Sequence, residues 1–213
     1  MKKYFLLVIL VIPFISCNKD DEGIDVDTAD FEAIRTSFPY ETLEPQNNPD
    51  YWELVQVFDL NDFEVLMTVG NKCQNATDTT SCIIQLDGAF PANNVGFDIG
   101  CLPSFCFKFL RIQSGDSIEV VASKDELLEF LGPIDSKADA ILWATANNYY
   151  FRLNEVRVGG INETNDGYEL LLLSLVSDCL PVQVNRFHLK ITTDGTIRIL
   201  DEAVESKEDD QCI

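Results

Sequence analysis

A single histidine, His188, is all that 213 residues supply, accompanied by only two tryptophans and two methionines. A site built on several imidazoles is therefore excluded within one chain, and any Ser/His or Cys/His nucleophile would have to use His188. That residue sits in Asn185-Arg186-Phe187-His188-Leu189-Lys190, where alternation places it on one strand face with Arg186 and Lys190 and with no orienting acid nearby in sequence. The chain also lacks a G-x-S-x-G elbow, a P-loop, a G-x-G-x-x-G turn and any C-x-x-C pair, so the common nucleophile, phosphate-cradling and zinc patterns are missing. These absences lead us to expect no catalytic residues, no cofactor and no metal.

Positive charge is scarce too. Fifteen Lys and Arg face 36 Asp and Glu, a formal charge of −21, and such a field repels nucleic acid, which is excluded as a partner. Long apolar runs are missing after residue 16, so no later segment has the roughly 20 residues of a spanning helix. Asp59, Asn61, Asp62 and Glu64 cluster oxygen side chains, but the glycine and terminal glutamate of a calcium-binding loop are absent. A hairpin turn is the better reading of that stretch.

What is present begins at the N-terminus. Lys2 and Lys3 precede an apolar run from Tyr4 to Ile15, broken only by Pro13, and the run ends at Phe14-Ile15-Ser16-Cys17. Positive start, short apolar core and small residue make a secretory signal. The end of the run resembles the lipobox of bacterial lipoproteins, with Phe14 where that family carries a leucine-like residue. The resemblance implies that residues 1–16 are a signal peptide and that Cys17 becomes the mature N-terminus, acylated by chains such as palmitate and held in a membrane. Asn18-Lys19-Asp20-Asp21-Glu22 resembles the acidic export signal of surface lipoproteins in the Bacteroidota group. That implies an outer-membrane anchor and display at the cell surface, a periplasm-facing position being the alternative.

Export changes how the remaining cysteines read. Cys73, Cys82, Cys101, Cys106, Cys179 and Cys212 form an even set, and an even set in an exported chain reads as disulfides. Proximity suggests Cys73–Cys82, Cys101–Cys106 and Cys179–Cys212, the last tying the C-terminal tail to the body.

Hydrophobic content of 46% argues for a packed core,. We expect an acidic tether and connecting segment over 17–49, with one short helix over 31–38, then a globular domain over 50–213 with a subdivision near 123. Within it, alternation predicts a hairpin from Tyr51–Phe58 and Phe63–Val69, a polar loop closed by Cys73 and Cys82, a strand over Ile83–Leu86, and a long irregular stretch from Gly88 to Cys101. Phe105, Phe107 and Phe109 share a strand face, which reads as a sheet face under cover or as a stacking platform for sugars. Ser123 with Glu126 makes a capping box that opens a helix ended by Gly132-Pro133. A second helix starts at Asp135 or Ser136, with Trp143 off its apolar stripe. Four strands follow: Tyr149–Val158, Tyr168–Val176 as the central one, Val182–Ile191, and Thr196–Leu200, with a connection over Gly159–Gly167.

Strands and helices in blocks predict an α+β fold, mainly antiparallel, with two to three helices, and the helix followed by four strands resembles cystatin-like folds in outline. For function, the absence of catalytic patterns points to a non-enzymatic module that binds a glycan or protein. The alternatives are a small carboxylate-dependent hydrolase such as a glycosidase, which needs only two carboxyls, or a structural subunit of an envelope complex. Thiol titration of the denatured, unreduced protein tests the cysteine reading: Cys73 to Cys212 should give no reactive thiol, and labelling of all six would refute it.

Overall fold

Phe31 and Ile34 stand three apart, a spacing that suits one helix face, but in the folded chain this segment is extended. Glu32–Ala33 is a short strand (β1) against residues 160–161, and Ile34 N donates to Gly159 O at 2.8 Å. The expected helix over 31–38 is therefore absent, because pairing with a sheet edge outweighs a weak local preference. The computed structural model describes residues 23–43, 45–59, 62–100 and 106–213. Cys17, the acidic run up to Glu22, Leu60, Asn61, Cys101 and Phe105 lie outside the described residues, and so does most of the oxygen-rich turn at 59–62.

The first sheet forms around Tyr51–Asp59 (β2), whose alternation sends Trp52 and Leu54 to one side and Tyr51, Glu53, Val55 and Val57 to the other, all of them buried. Asp62–Gly70 (β3) pairs with it as the expected hairpin. Next comes Thr79–Gly88 (α1), where a closed loop and a strand were expected. Asp78 caps it by accepting from Ser81 N at 3.1 Å, and the buried pair Cys82 and Leu86 has the i, i+4 spacing of a helix face,. Phe97–Gly100 (β4), Cys106–Ser114 (β5) and Ser117–Val121 (β6) complete the sheet. Its order is β3-β2-β5-β4, with β6 also on β5, and every pairing is antiparallel.

Lys124–Leu131 (α2) starts with the predicted capping box of Ser123 and Glu126, and Lys137–Ala146 (α3) has a second box from Ser136 and Asp139. The strand expected at Tyr149–Val158 is replaced by a single bridge, Tyr150 to Leu173, and a short helix, Val156–Gly159 (α4). Asn154 explains the break, since it takes a positive φ of 62° and donates its N–H to Ile34 O,. The expected connection over 159–167 holds instead the strand Gly160–Thr164 (β7). Gly167–Asp178 (β8), Val182–Thr192 (β9) and Ile197–Glu208 (β10) follow. The second sheet has the order β1-β7-β8-β9-β10, antiparallel throughout, with β8 central as predicted. Among the described residues there are thus four helices, one more than the upper expectation, in a mainly antiparallel α+β fold.

The two sheets sandwich α2 and α3. Trp52, Leu54, Leu110 and Ile112 approach from the first sheet, and Leu170, Leu172, Phe187 and Leu189 from the second. Every residue of α3 from Ala138 to Ala146 is buried, which settles Trp143: it meets a second surface, donating Nε1–H to Gly195 O at 2.8 Å. Gly195 lets the β9–β10 turn come this close, because a Cβ there would stand 2.7 Å from Leu128 Cδ1 and φ is +80°,. Ile34, Tyr40 and Leu43 join the same core, so much of the segment expected to connect tether and body is part of the body.

The far side of the first sheet carries a buried polar network. Arg111 Nη1 donates to Glu53 Oε1 at 2.8 Å, Tyr51 Oη–H to Glu53 Oε2 at 2.5 Å, and Arg111 Nε to Ala89 O at 2.7 Å. Burial, reinforced by Glu53, pushes the Tyr51 phenol well above its usual range, so it stays a donor,. Gln113 binds Cys73 N and Gly115 O, and the Cys73–Cys82 disulfide holds α1 over this network. Cys179–Cys212 pins the C-terminus, and Cys106 is also disulfide-bonded.

Removing one partner of a buried ion pair strands a charge, which costs about 3–5 kcal/mol. Arg111→Met should lose stability on that scale in urea unfolding, and adding Glu53→Gln to it should recover part of the loss. An additive double variant would show that the pair is not coupled.

Candidate arginine-lined binding site

Sequence position scatters the six arginines of this acidic chain, but the fold brings three of them to one carboxylate. Glu205 lies in β10 at a register shift between Val204 and Ser206, opposite Asn185 and Val184 of β9, and a bulge of this kind re-aims a side chain. Its Oε1 accepts from Arg152 Nη1 at 3.2 Å and from Arg157 Nη2 at 2.9 Å. Arg186 Nε stands 3.0 Å from Oε2, an ionic contact outside hydrogen-bond alignment.

Different elements deliver these groups. Arg186 projects from β9, opposite Ala203 of β10. Arg157 belongs to α4, and Arg152 is held beside it by its N–H bonded to Val158 O at 3.1 Å. Gly159 makes that approach possible, since a Cβ there would lie 2.2 Å from Arg152 O,. Residues 23–28 form another wall. Gly23, Ile24, Val26 and Thr28 line a cleft of about 570 Å³ with Val156, Leu171, Arg157 and Arg186, within the usual size of a small-ligand site.

Burial ranks the members. Arg186 and the Glu205 side chain are 6% and 8% exposed, whereas Arg152 and Arg157 are 49% and 58% exposed. The inner pair is therefore the structural one, and the outer two guanidiniums present unused N–H donors to solvent. Three cations against one anion leave a local excess of two positive charges.

His188 lies on the same sheet face, where Glu169 of β8 supplies the acid that sequence did not place beside it. The imidazole Nε2 is 3.1 Å from Glu169 Oε2, and the Phe31 ring meets the His188 ring edge-on at 5.9 Å between centroids. Lys190 joins this ladder through Asp166 at 2.5 Å and Thr164 at 2.7 Å. Lys190 holds the Asp166 carboxyl below its usual range. Its one hydroxyl, on Thr164, faces Gly167 O at 2.9 Å and Asp166 Oδ1 at 3.2 Å as well as Lys190, so the ladder reads as cross-strand packing of charge.

The aromatic row is not a platform. Phe107 and Phe109 are buried, with Phe90 packed edge-on against them at 6.1 and 5.2 Å, and Phe105 lies outside the described residues. No group of His, Cys, Asp and Glu suited to a metal occurs among the described residues. The lipid-anchor residue Cys17 is likewise outside them, whereas Cys73, Cys82, Cys179 and Cys212 lie in disulfides. Sequence reasoning missed the arginine cluster because Arg152 and Arg157 lie 53 and 48 positions from Glu205. The only hint was how few arginines there are.

Glu205→Gln should destabilise the protein by about 3 kcal/mol in urea unfolding, because it strands the buried Arg186 cation. The exposed pairs add no more than about 1 kcal/mol each. Replacing Arg186 with Met in the same chain should restore part of this loss, and an unchanged Glu205→Gln midpoint would refute the bracing role. A scan against protein-family models and searches of the curated proteins and of the solved structures return no match for this chain.

Proposed function

We propose that this chain is a membrane-anchored extracytoplasmic lipoprotein whose role is to bind a ligand or partner rather than to catalyse a reaction. The observation that carries the binding role is the convergence of half the arginines of an acidic chain beside a cleft of about 570 Å³. Exposed guanidiniums held in fixed positions by one buried carboxylate are a recognition device, since little side-chain entropy is left to lose on binding. The two disulfides described above support an oxidising compartment,. The Lys2-Lys3 start, apolar run and Ser16-Cys17 end support export and lipid attachment at Cys17,. Outer-membrane placement at the cell surface belongs to the same proposal and rests on the acidic residues after Cys17.

The outline suggested for the second half also stays within this reading: α3 followed by the antiparallel set β7-β8-β9-β10 is the arrangement that resembles cystatin-like folds. The hydrolase alternative gains no support from Asp139. Burial pushes its carboxyl above the usual range, but it is engaged with Ser136 in the capping box of α3.

Mass spectrometry of the N-terminal peptide from membrane fractions checks the anchor. Cys17 should carry acyl chains and residues 1–16 should be missing, and external protease should remove the body from intact cells. A free Cys17 thiol in the exported protein would sink the lipoprotein reading, and an acylated but protected chain would place it inside the envelope.

A further inference from the structure

We propose that Arg152 and Arg157, braced by Glu205 and Arg186, bind a phosphate oxyanion, supplied by a lipid headgroup of the membrane that holds Cys17. The inference rests on the anchored reading for the source of the phosphate and on the structure for the chemistry that grips it.

The chemistry follows from charge and geometry. The outer guanidiniums bind the same Glu205 oxygen, at 3.2 and 2.9 Å, so their nitrogens are no farther apart than those two distances together. Each contributes one hydrogen bond to Glu205 and keeps its other donors. Planar guanidinium forks match phosphate oxygens in pairs. Among these four side chains two positive charges are left over, which a phosphate monoester headgroup, at about −1.5 to −2 near neutral pH, matches more fully than a singly charged carboxylate or phosphodiester. Asp25 and Asp27 flank the wall of the cleft, but both are exposed and form no ion pair among the described residues, while Ile24 and Val26 line its interior.

The source follows from chain length. Gly23, in the wall of the cleft, is six residues beyond Cys17, and six residues span at most about 20 Å. Acylation of Cys17 therefore holds this arginine face close to the headgroups. A formal charge of −21 repels a free anion in solution, but screening confines that repulsion to about 8–10 Å. Tethering sets the effective headgroup concentration near the millimolar range for a short linker. A weak site that a free anion fills poorly is then filled by an anchored one.

The acylated protein, purified in detergent, is returned to phosphatidylcholine vesicles with and without phosphatidic acid, and thermal unfolding is followed. Phosphatidic acid should raise Tm by about 2–4 °C, inorganic phosphate added to the detergent-solubilised protein should have much less effect, and Arg152→Gln with Arg157→Gln should abolish the shift. Both arginines are exposed, so this variant should keep the wild-type circular dichroism. An equal shift with inorganic phosphate would retain the oxyanion site but overturn the headgroup as its source. No shift in either arm, or an undiminished shift in the double variant, would overturn the proposal. If Cys17 proves unacylated, the anchored reading fails by itself, and the inorganic-phosphate arm still decides whether the arginines bind the anion.

Discussion

Burial of one short helix on nearly all sides is the constraint on which the rest of the structure depends. From Ala138 to Ala146 no residue of α3 is more than 8% exposed, so this stretch of helix must be covered on every side. Its alanines at 138, 140, 144 and 146 are small enough for two sheets to close around it, while Ile141, Leu142 and Trp143 fill the remaining volume,. That demand accounts for the three-layer order, for the Trp143 hydrogen bond to the β9–β10 turn, and for the glycine at position 195. It also explains how segments on both sides of position 123 share one core.

Charge is distributed by the same logic of burial. On the outer side of the first sheet, Glu53 and Arg111 are sealed beneath α1 and the Cys73–Cys82 bridge, and their hydrogen bonds are made to Tyr51 and Ala89. Their hydrogen-bond partners are internal, which suits a brace, and the partly exposed Lys72 adds a longer ion pair to Glu53 at 3.7 Å. On the outer side of the second sheet, Glu205 and Arg186 form a similar buried pair, but Arg152 and Arg157 extend from it into solvent. In the first network both guanidinium contacts are spent inside the fold, whereas the second leaves guanidinium donors in solvent to offer a ligand. That difference in exposure, rather than any difference in residue type, separates a structural ion pair from a candidate site.

Particular elements show where local information ran out. The capping box at Ser123, the start of a helix near Ser136 and the β2–β3 hairpin were legible because their determinants lie within a few residues of one another. Asp194-Gly195 between β9 and β10 is a turn signal of the same local kind, with a positive φ at the glycine,. The region 31–38 misled because Phe31 and Ile34 fit either period, and β7 decided the matter from more than 120 positions away. At 149–158, apolar residues suggested a strand, whereas the left-handed Asn154 and its bond to Ile34 turned the chain into α4. At 79–88, a cysteine and leucine four apart were the signal of a helix, hidden by a polar run that reads as loop.

The sequence by itself determined the excess of acid over base, the scarcity of histidine, the even set of cysteines and the signal-like start. It also determined the elements whose caps and turns are local. Only the tertiary structure decided which cation meets which carboxylate. Arg152 and Arg157 are near neighbours, but Arg186 and Glu205 lie far beyond them along the chain, with no spacing that a local pattern could register. A β-bulge and antiparallel strand register bring Arg186 and Glu205 together, and a local glycine contact sets Arg152 beside α4. The glutamate for His188 came the same way, from the neighbouring strand.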